Sequence, residues 1–259
     1  MLTSTELKNC HAHRSARIWR VVETQEIAAT RAITRSQADQ ARLEVLLEQS
    51  KPTVPTECAG LSYLLFTPFR YPPLDYGSRF GTRWQRGIFY GSSERRTAFA
   101  EAAVYLWLFQ SGPVAPGPLA QIRDQRTIFA VTIKSDAALD LCLPIFAQQQ
   151  GTIADPADWS ATQQLGSRMR QAGTAFCLYP SARLAGGQNG AIFDPSAFAG
   201  SEPESQQHWH CRLDERTCWF GRRQESFEFQ RGAFERGGVI PHPALSGRRS
   251  ERSSQMSDR

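Results

Sequence analysis

Two periods of apolar and polar residues alternate along this chain, and the changeovers mark out its elements. Residues 1–14 are polar and aperiodic, and are expected to form a frayed, disordered tail. Ala16–Glu23 (ARIWRVVE) mixes β-branched residues with Trp19 and fits a first strand or a short lead-in element. A helical stretch follows to about Lys51. Ser36 and Asp39 stand at capping-box spacing, and Ala41, Val45 and Leu46 give the helix an apolar stripe. Lys51–Pro55 (KPTVP) breaks it. Leu61–Thr67 (LSYLLFT) is strand-like, and Pro68, Pro72 and Pro73 speak against regular structure just beyond it. Gly87–Tyr90 predicts a short strand. Gly91-Ser92-Ser93 then opens a helix from about Glu94 to Gln110, with serines as caps and Glu94 in the first turn.

The second half is denser in strands. Ser111–Pro118 (SGPVAPGP) forms a loop, Thr127–Lys134 predicts a strand, and Ala138–Leu143 predicts another short one. Trp159–Ala172 reads as a helix, Ala175–Tyr179 and Gly190–Phe193 as buried strands, and Thr217–Phe229 as one or two late strands. After Gly237-Gly238 and Pro241 the pattern dissolves. No repeat is evident, and the strands lack regular βαβ spacing. The expected fold class is therefore α+β rather than a doubly wound sheet. One domain is expected, with an N-terminal helical extension, residues 15–59, packed on a catalytic body of residues 60–238, and a basic disordered tail at 239–259.

Composition adds bounds. A hydrophobic fraction of 41% supports a real core. The net charge is +5, and 27 of the 30 cations are arginine, the lysines being Lys8, Lys51 and Lys134. No lysine-rich patch or periodic basic helix calls for nucleic acid, and no direct nucleic-acid binding is expected. Met1–His13 lacks an apolar core for a secretory signal, and the longest apolar run, Ala102–Phe109, is far short of a membrane span. With no signal, the six cysteines read as reduced thiols and the location as cytoplasmic.

Chemistry concentrates between Phe69 and Glu101. Four arginines, Arg70, Arg79, Arg83 and Arg86, sit in an irregular glycine-containing run, and guanidinium forks match phosphate oxygens. Arg83 and Arg86 are assigned to solvent. Tyr71, Tyr76 and Tyr90 either stack on a ligand ring or are simply packed. Glu101 is the only charged side chain from Thr97 to Ser111, on a helix that is apolar nearly all round. Burying such a carboxylate is costly, which points to a site, although a salt bridge or an outward-reaching side chain is the plainer alternative. Asp158-Trp159-Ser160-Ala161-Thr162-Gln163 opens a helix, where its hydroxyls cap the helix or touch a phosphate. Tyr179-Pro180-Ser181-Ala182-Arg183 leads into Gly186-Gly187-Gln188-Asn189, a turn or a ligand contact.

These pieces together resemble the RES-domain family, named for an arginine, a glutamate and a serine. An early arginine segment with aromatic flanks is matched by IWRVVE or LLFTPFRYP. GSRFG, then GIFY and TAFAE, resembles the family's Gly-Arg-Trp loop, tyrosine strand and glutamate helix, with Phe80 in place of the tryptophan. DWSATQQLG resembles its serine segment, and YPSARLAGGQNGAIFDP its Pro-Ser strand and asparagine turn. The resemblance covers residues 60–200, and more loosely Arg17–Lys51. It implies an ADP-ribosyltransferase-like α+β fold and a bacterial toxin that consumes NAD, paired with an antitoxin that carries a helix-turn-helix. Carried over, Glu101, Arg79 and Ser160 become catalytic, and Arg70, Tyr71, Tyr90, Ser181 and Arg20 bind substrate. Ser181 rivals Ser160, and Arg20 is the alternative to Arg70 as first arginine. The insertion at 24–59 departs from the family's compact pattern.

The implied chemistry is cleavage of an N-glycosidic bond through an oxocarbenium-like sugar, with nicotinamide leaving as a neutral molecule. NAD is then a substrate, inorganic phosphate an admissible co-substrate, and no metal is required. Water as nucleophile makes a glycohydrolase, phosphate an NAD phosphorylase, and a protein side chain an ADP-ribosyltransferase. A non-catalytic nucleotide-binding module is the competing class. A zinc site built from His208, His210, Cys211 and Cys218 is a weaker one, because the spacing lacks tight ligand pairs.

Overall fold

The computed structural model describes residues 2–24, 33–112 and 117–245. Residues 25–32 of the expected insertion, 113–116 of the expected loop and the basic tail from 246 onward lie outside the described residues.

The elements, in order, are α1 (Ser4–Asn9), β1 (Ala12–Glu23), α2 (Gln37–Ser50), α3 (Tyr63–Arg70), β2 (Phe89–Ser92), α4 (Arg95–Gln110), β3 (Ile122–Asp140), α5 (Gln150–Ile153), α6 (Ser160–Gln171), β4 (Phe176–Pro180), β5 (Gln188–Ile192), β6 (Ser205–Leu213), β7 (Thr217–Arg222) and β8 (Glu225–Gln230). The class is α+β. Eight strands pair in the order β1-β2-β5-β4-β3-β6-β7-β8, and β1 pairs with β3 as well. That extra pairing closes β1, β2, β5, β4 and β3 into a ring, and β6, β7 and β8 extend from β3. The β3–β4 pairing is parallel and the others are antiparallel.

Three apolar clusters tie the helices to this sheet. Leu65 and Phe69 of α3 pack with Ile18, Phe89, Phe129, Val131 and Ile192 from the ring strands. Phe99, Val104 and Trp107 of α4 pack with Ile128, Trp209, Phe220 and Phe229. Leu7 of α1 and Leu165 and Met169 of α6 pack with Phe80 and Leu139. Gly166 makes the last packing possible. A Cβ there would stand 1.9 Å from the Phe80 carbonyl oxygen, so only glycine lets the helix reach the loop.

Several sequence expectations are corrected. The tail expected at 1–14 is ordered. Thr3 caps α1 with a reciprocal capping box to Glu6, and Leu7 is fully buried. One buried leucine in a short helix leaves too little periodicity to read. The next segment is no extension, because β1 is a ring strand that pairs with β3 from Ala12 to Glu23. The Leu61–Thr67 segment is not strand, and helix runs through it from Tyr63 with Ser62 as N-cap. Its apolar run fits both periods, and burial of Leu65 and Phe69, four residues apart, decides the matter; Pro68 lies inside that helix. The two strands expected at 127–134 and 138–143 are one strand, β3. At the polar Ser135-Asp136 between them the pairing with β1 only shifts register, Arg14 facing Ser135 and Ala12 facing Ala138, and the strand continues. β6 has no counterpart among the strands expected from the sequence. Its HWHC segment is plain strand alternation, with His208 and His210 exposed and Trp209 and Cys211 buried. Among the described residues no group of three or more His, Cys, Asp or Glu is placed to hold a metal ion.

The helix expected before Lys51 is α2, and the Ser36 hydroxyl accepts from the Asp39 amide at its start. It does not pack on the body through its apolar stripe: Val45 and Leu46 stay 56% and 53% exposed. Polar contacts hold it instead, chiefly Glu48 with Arg70. α4 starts at Arg95 with Glu94 as its N-cap and no side-chain cap, so the serines before it do not cap. No helix among the described residues is long and apolar enough to cross a membrane.

Gly166→Ala is expected to destabilise the fold by about 1–3 kcal/mol through overpacking. A lowered urea midpoint with an unchanged slope checks it, and an unchanged midpoint would show that the loop yields.

Candidate functional site

The site forms where β1, β2, β5, α4 and the loop before β2 converge on one cavity of about 490 Å³. Glu101 enters it from the middle of α4. Ser181 Oγ and Asn189 Nδ2 both donate to its Oε1, each at 2.7 Å. Oε2 takes no protein donor among the described residues. Each of the two donors is itself oriented. Ser92 Oγ donates to Asn189 Oδ1 at 2.6 Å, and the backbone amides of Arg183 and Leu184 donate to Ser181 Oγ at 3.1 and 3.2 Å. The carboxylate therefore has one oxygen fixed by the protein and one facing the cavity it lines.

Three arginines line the same cavity: Arg20, Arg79 and Arg183. Each is anchored by backbone carbonyls. Arg20 Nη1 donates to Tyr90 O at 2.6 Å, and its guanidinium lies 5.0 Å from the centre of the Phe89 ring. Arg79 Nη1 donates to Ile153 O at 2.7 Å and Asp155 O at 2.9 Å. Arg183 donates to Pro241 O at 2.9 Å and Pro156 O at 3.3 Å. Among the described residues none of the three has a carboxylate within 4.0 Å. Burial presses on this unneutralised charge: it lowers Arg20 to about 10 and also pulls Arg183 down. Three guanidiniums and one carboxylate leave the cavity positive.

Aromatic side chains make the remaining wall, with Tyr71, Tyr76, Tyr90, Tyr105, Trp159 and Tyr179 all lining it. Tyr90 does more than fill space. Its hydroxyl accepts from the Phe80 amide at 3.0 Å and bonds Ser78 Oγ at 3.0 Å, which pins the arginine loop against β2. Burial raises its pKa to about 12, so it stays a neutral phenol. Gln163 of α6 grips the same loop by donating to Tyr76 O at 2.9 Å and Ser78 O at 3.1 Å. Gly91 allows β2 this close to β1, since a Cβ there would stand 2.7 Å from Trp19 O.

The structure thus gathers Glu101, Arg79, Tyr90, Tyr71, Ser181 and Arg20 in one place, and leaves out two expected members. Arg70 lies at the end of α3 and turns away from the cavity, with Nη1 on Glu48 at 2.7 Å and Nε on Pro52 O. The local Arg-Tyr pair is present, but the helical segment that carries it aims the arginine at the extension. Ser160 is exposed at the N-terminus of α6, and its hydroxyl and amide are bonded to Asp158 Oδ1 at 2.6 and 2.8 Å. Its neighbours Trp159 and Gln163 serve the site instead. Arg83 and Arg86 take partners outside the cavity, Asp75 and Glu57. Tyr105, Arg183 and His242 carried no assignment in the sequence. Tyr105 is legible in retrospect, four residues past Glu101 on one helix face; His242 sits where all periodicity has ended.

A family model described as RES domain matches residues 54–214. No curated protein matches the chain. Among solved structures, the chain is similar to the crystal structure of the M. tuberculosis MbcT-MbcA toxin-antitoxin complex. The identity is 11% and the TM-score 0.46, with 82% of this chain and 92% of that chain covered.

His242 gives the site a pH signature. Burial, with the Arg183 and Arg79 charges, lowers it to about 3 from an unfolded value near 6.5. The unfolded state then binds more protons through that interval. The stability that neutral His242 confers is complete above pH 6.5 and is lost as pH falls toward 3. The melting temperature of the wild type is expected to fall more steeply from pH 6.5 to 4 than that of His242→Phe; parallel curves would reject a buried neutral imidazole.

Proposed function

The chain belongs to the RES-domain family, and from that premise we propose that it is a toxin that consumes NAD by cleaving the nicotinamide–ribose bond. One observation carries this reading: three guanidiniums without carboxylate partners share a cavity with a single carboxylate that has one oxygen free. A dinucleotide supplies the matching groups, a diphosphate dianion beside a ribose that turns cationic as its bond breaks. The volume, about 490 Å³, is in the range of small-molecule sites.

In this mechanism Arg20, Arg79 and Arg183 hold the diphosphate. Their carbonyl anchors fix the forks before substrate arrives, so little ordering remains for binding to supply. Glu101 Oε2 accepts from a hydroxyl of the nicotinamide ribose and opposes positive charge at the anomeric carbon as the C–N bond lengthens. Ser181 and Asn189 hold the carboxylate so that it need not turn during the reaction. Tyr71 and Tyr76 offer ring faces, and Tyr90 keeps the arginine loop in place. Nicotinamide departs with the bonding electron pair and is neutral, so no general acid is needed. Water or inorganic phosphate then attacks the anomeric carbon, giving ADP-ribose or its 1″-phosphate.

The proposal extends to a cytoplasmic toxin held in check by a helix-turn-helix antitoxin. The surface there suits such a partner, since Tyr71 and Leu74, which line the cavity, and Trp84 on the same 70–90 segment are large apolar side chains left exposed.

Purified protein incubated with NAD, with and without phosphate, is expected to release nicotinamide, and mass spectrometry identifies the second product. Absence of nicotinamide from folded protein would sink the enzymatic reading, and ADP-ribose found on a protein would reassign it to a transferase. Glu101→Gln is expected to lower the release rate by on the order of 10² or more. Ser160→Ala is expected to keep the rate within about twofold, because its loss touches only a helix start. A comparable collapse in both variants would restore Ser160 to the site.

A further inference from the structure

The described chain does not end with the matched region. Residues 239–245 come back to the cavity from beyond it. Ile240 is 2% exposed within the cluster of α4 and β6–β8, which anchors the segment. The next two residues reach the site. Pro241 O accepts from Arg183 Nη1 at 2.9 Å. The His242 imidazole is 2% exposed, and its centre lies 4.8 Å from Trp159, 5.4 Å from Tyr76 and 5.5 Å from Tyr105. All three rings line the cavity and stand nearly perpendicular to the imidazole.

The geometry also fixes the form of the imidazole. Nδ1 accepts from the Ala244 amide at 3.1 Å, and the Leu245 amide bonds His242 O at 3.0 Å, so the segment turns on this residue. With Nδ1 an acceptor, the proton of the neutral ring sits on Nε2. That atom is buried and has no N or O partner, and neither has Trp159 Nε1 beside it. Ring faces at right angles are the neighbours on hand, and an N–H against a π-face is a weak bond. The ring itself is therefore what the three aromatic neighbours meet. Arg79 and Arg183 face the same ring, and beside them a third cation would be repelled.

We infer that residues 239–245 are part of the substrate site: His242 is a positioning residue that sets the wall of Tyr76, Tyr105 and Trp159, and the Pro241 carbonyl aims Arg183 at the anionic part of the substrate. The identity of that substrate rests on the NAD reading; the positioning does not. The segment touches binding groups and not Glu101, so its loss weakens binding more than the chemical step.

The test uses the full chain as wild type, His242→Ala, His242→Phe and Ile133→Ala, the last a core change on β3 away from the cavity. For His242→Ala, KM for NAD is expected to rise about tenfold with kcat within about threefold; His242→Phe, which keeps a ring in the cage, returns KM to within about threefold, and Ile133→Ala leaves it unchanged. An unchanged KM in His242→Ala, or equal impairment in the alanine and phenylalanine variants, overturns the inference. So does a KM raised as much by Ile133→Ala. If the wild type releases no nicotinamide, the NAD reading falls alone, and amide hydrogen exchange decides the rest. Faster exchange at 74–81 and 156–163 in His242→Ala but not His242→Phe supports positioning; the same exchange in all variants overturns it.

Discussion

Two hydrogen bonds onto one oxygen of Glu101 hold the site together. They join α4 to the turn after β4 and to β5, three parts of the chain that no local sequence feature links. The ring of strands exists around the same junction. β5 pairs with β2 and β4 at once, and Asn189, which grips the carboxylate, lies opposite Ser92 in one pairing and Tyr179 in the other. A donor to an ionised carboxylate is a stronger bond than one between neutral groups, so the junction has a stated direction: Glu101 accepts, and the sheet and its turn donate. That direction leaves Oε2 for something outside the protein.

The charge around it is left uncancelled. Arg70 meets Glu48, Arg86 meets Glu57 and Arg95 meets Glu225 outside the cavity, although Arg170 there meets the Arg86 carbonyl. All three cavity arginines meet carbonyls. A carbonyl fixes a guanidinium without cancelling its charge, so each cavity arginine is held in place and still attractive to an anion. A neutral His242 and a neutral Tyr90 keep to the same arrangement, since each contributes shape and hydrogen bonds without altering the balance of charge.

What could be read from the residues follows from how local each signal is. The carboxylate on α4 was legible because one charged residue in a long apolar helix needs no tertiary information to be odd. The helices at 95–110 and 160–171 and the strands at 176–180 and 188–192 came from periods that complete themselves within the segment. Choosing between Arg20 and Arg70 was a different problem. Both have aromatic neighbours in sequence, and only the register of β1 against β3, set across more than a hundred residues, turns Arg20 toward the cavity. The serine question was alike: Ser160 has the better helix context, whereas Ser181 is brought to Glu101 by the pairing of β4 with β5. Leu61–Thr67 and the tail at 1–14 failed for shortness, since each offers too few apolar residues to choose a period.

His242 marks the limit of that kind of reading and also explains it. Its segment has no periodicity because it is neither helix nor strand. Its information lies in three separate anchors: Ile240 in the core, Pro241 on Arg183, and His242 among three rings. A segment held only at its points of contact with a cavity wall carries the shape of that wall, and it does so from outside the region matched by the family model. Arg79, Arg183, Glu101 and the donors to Glu101 all lie inside that region, whereas Arg20 precedes it and His242 follows it, so the cavity is completed by chain on both sides of the matched residues.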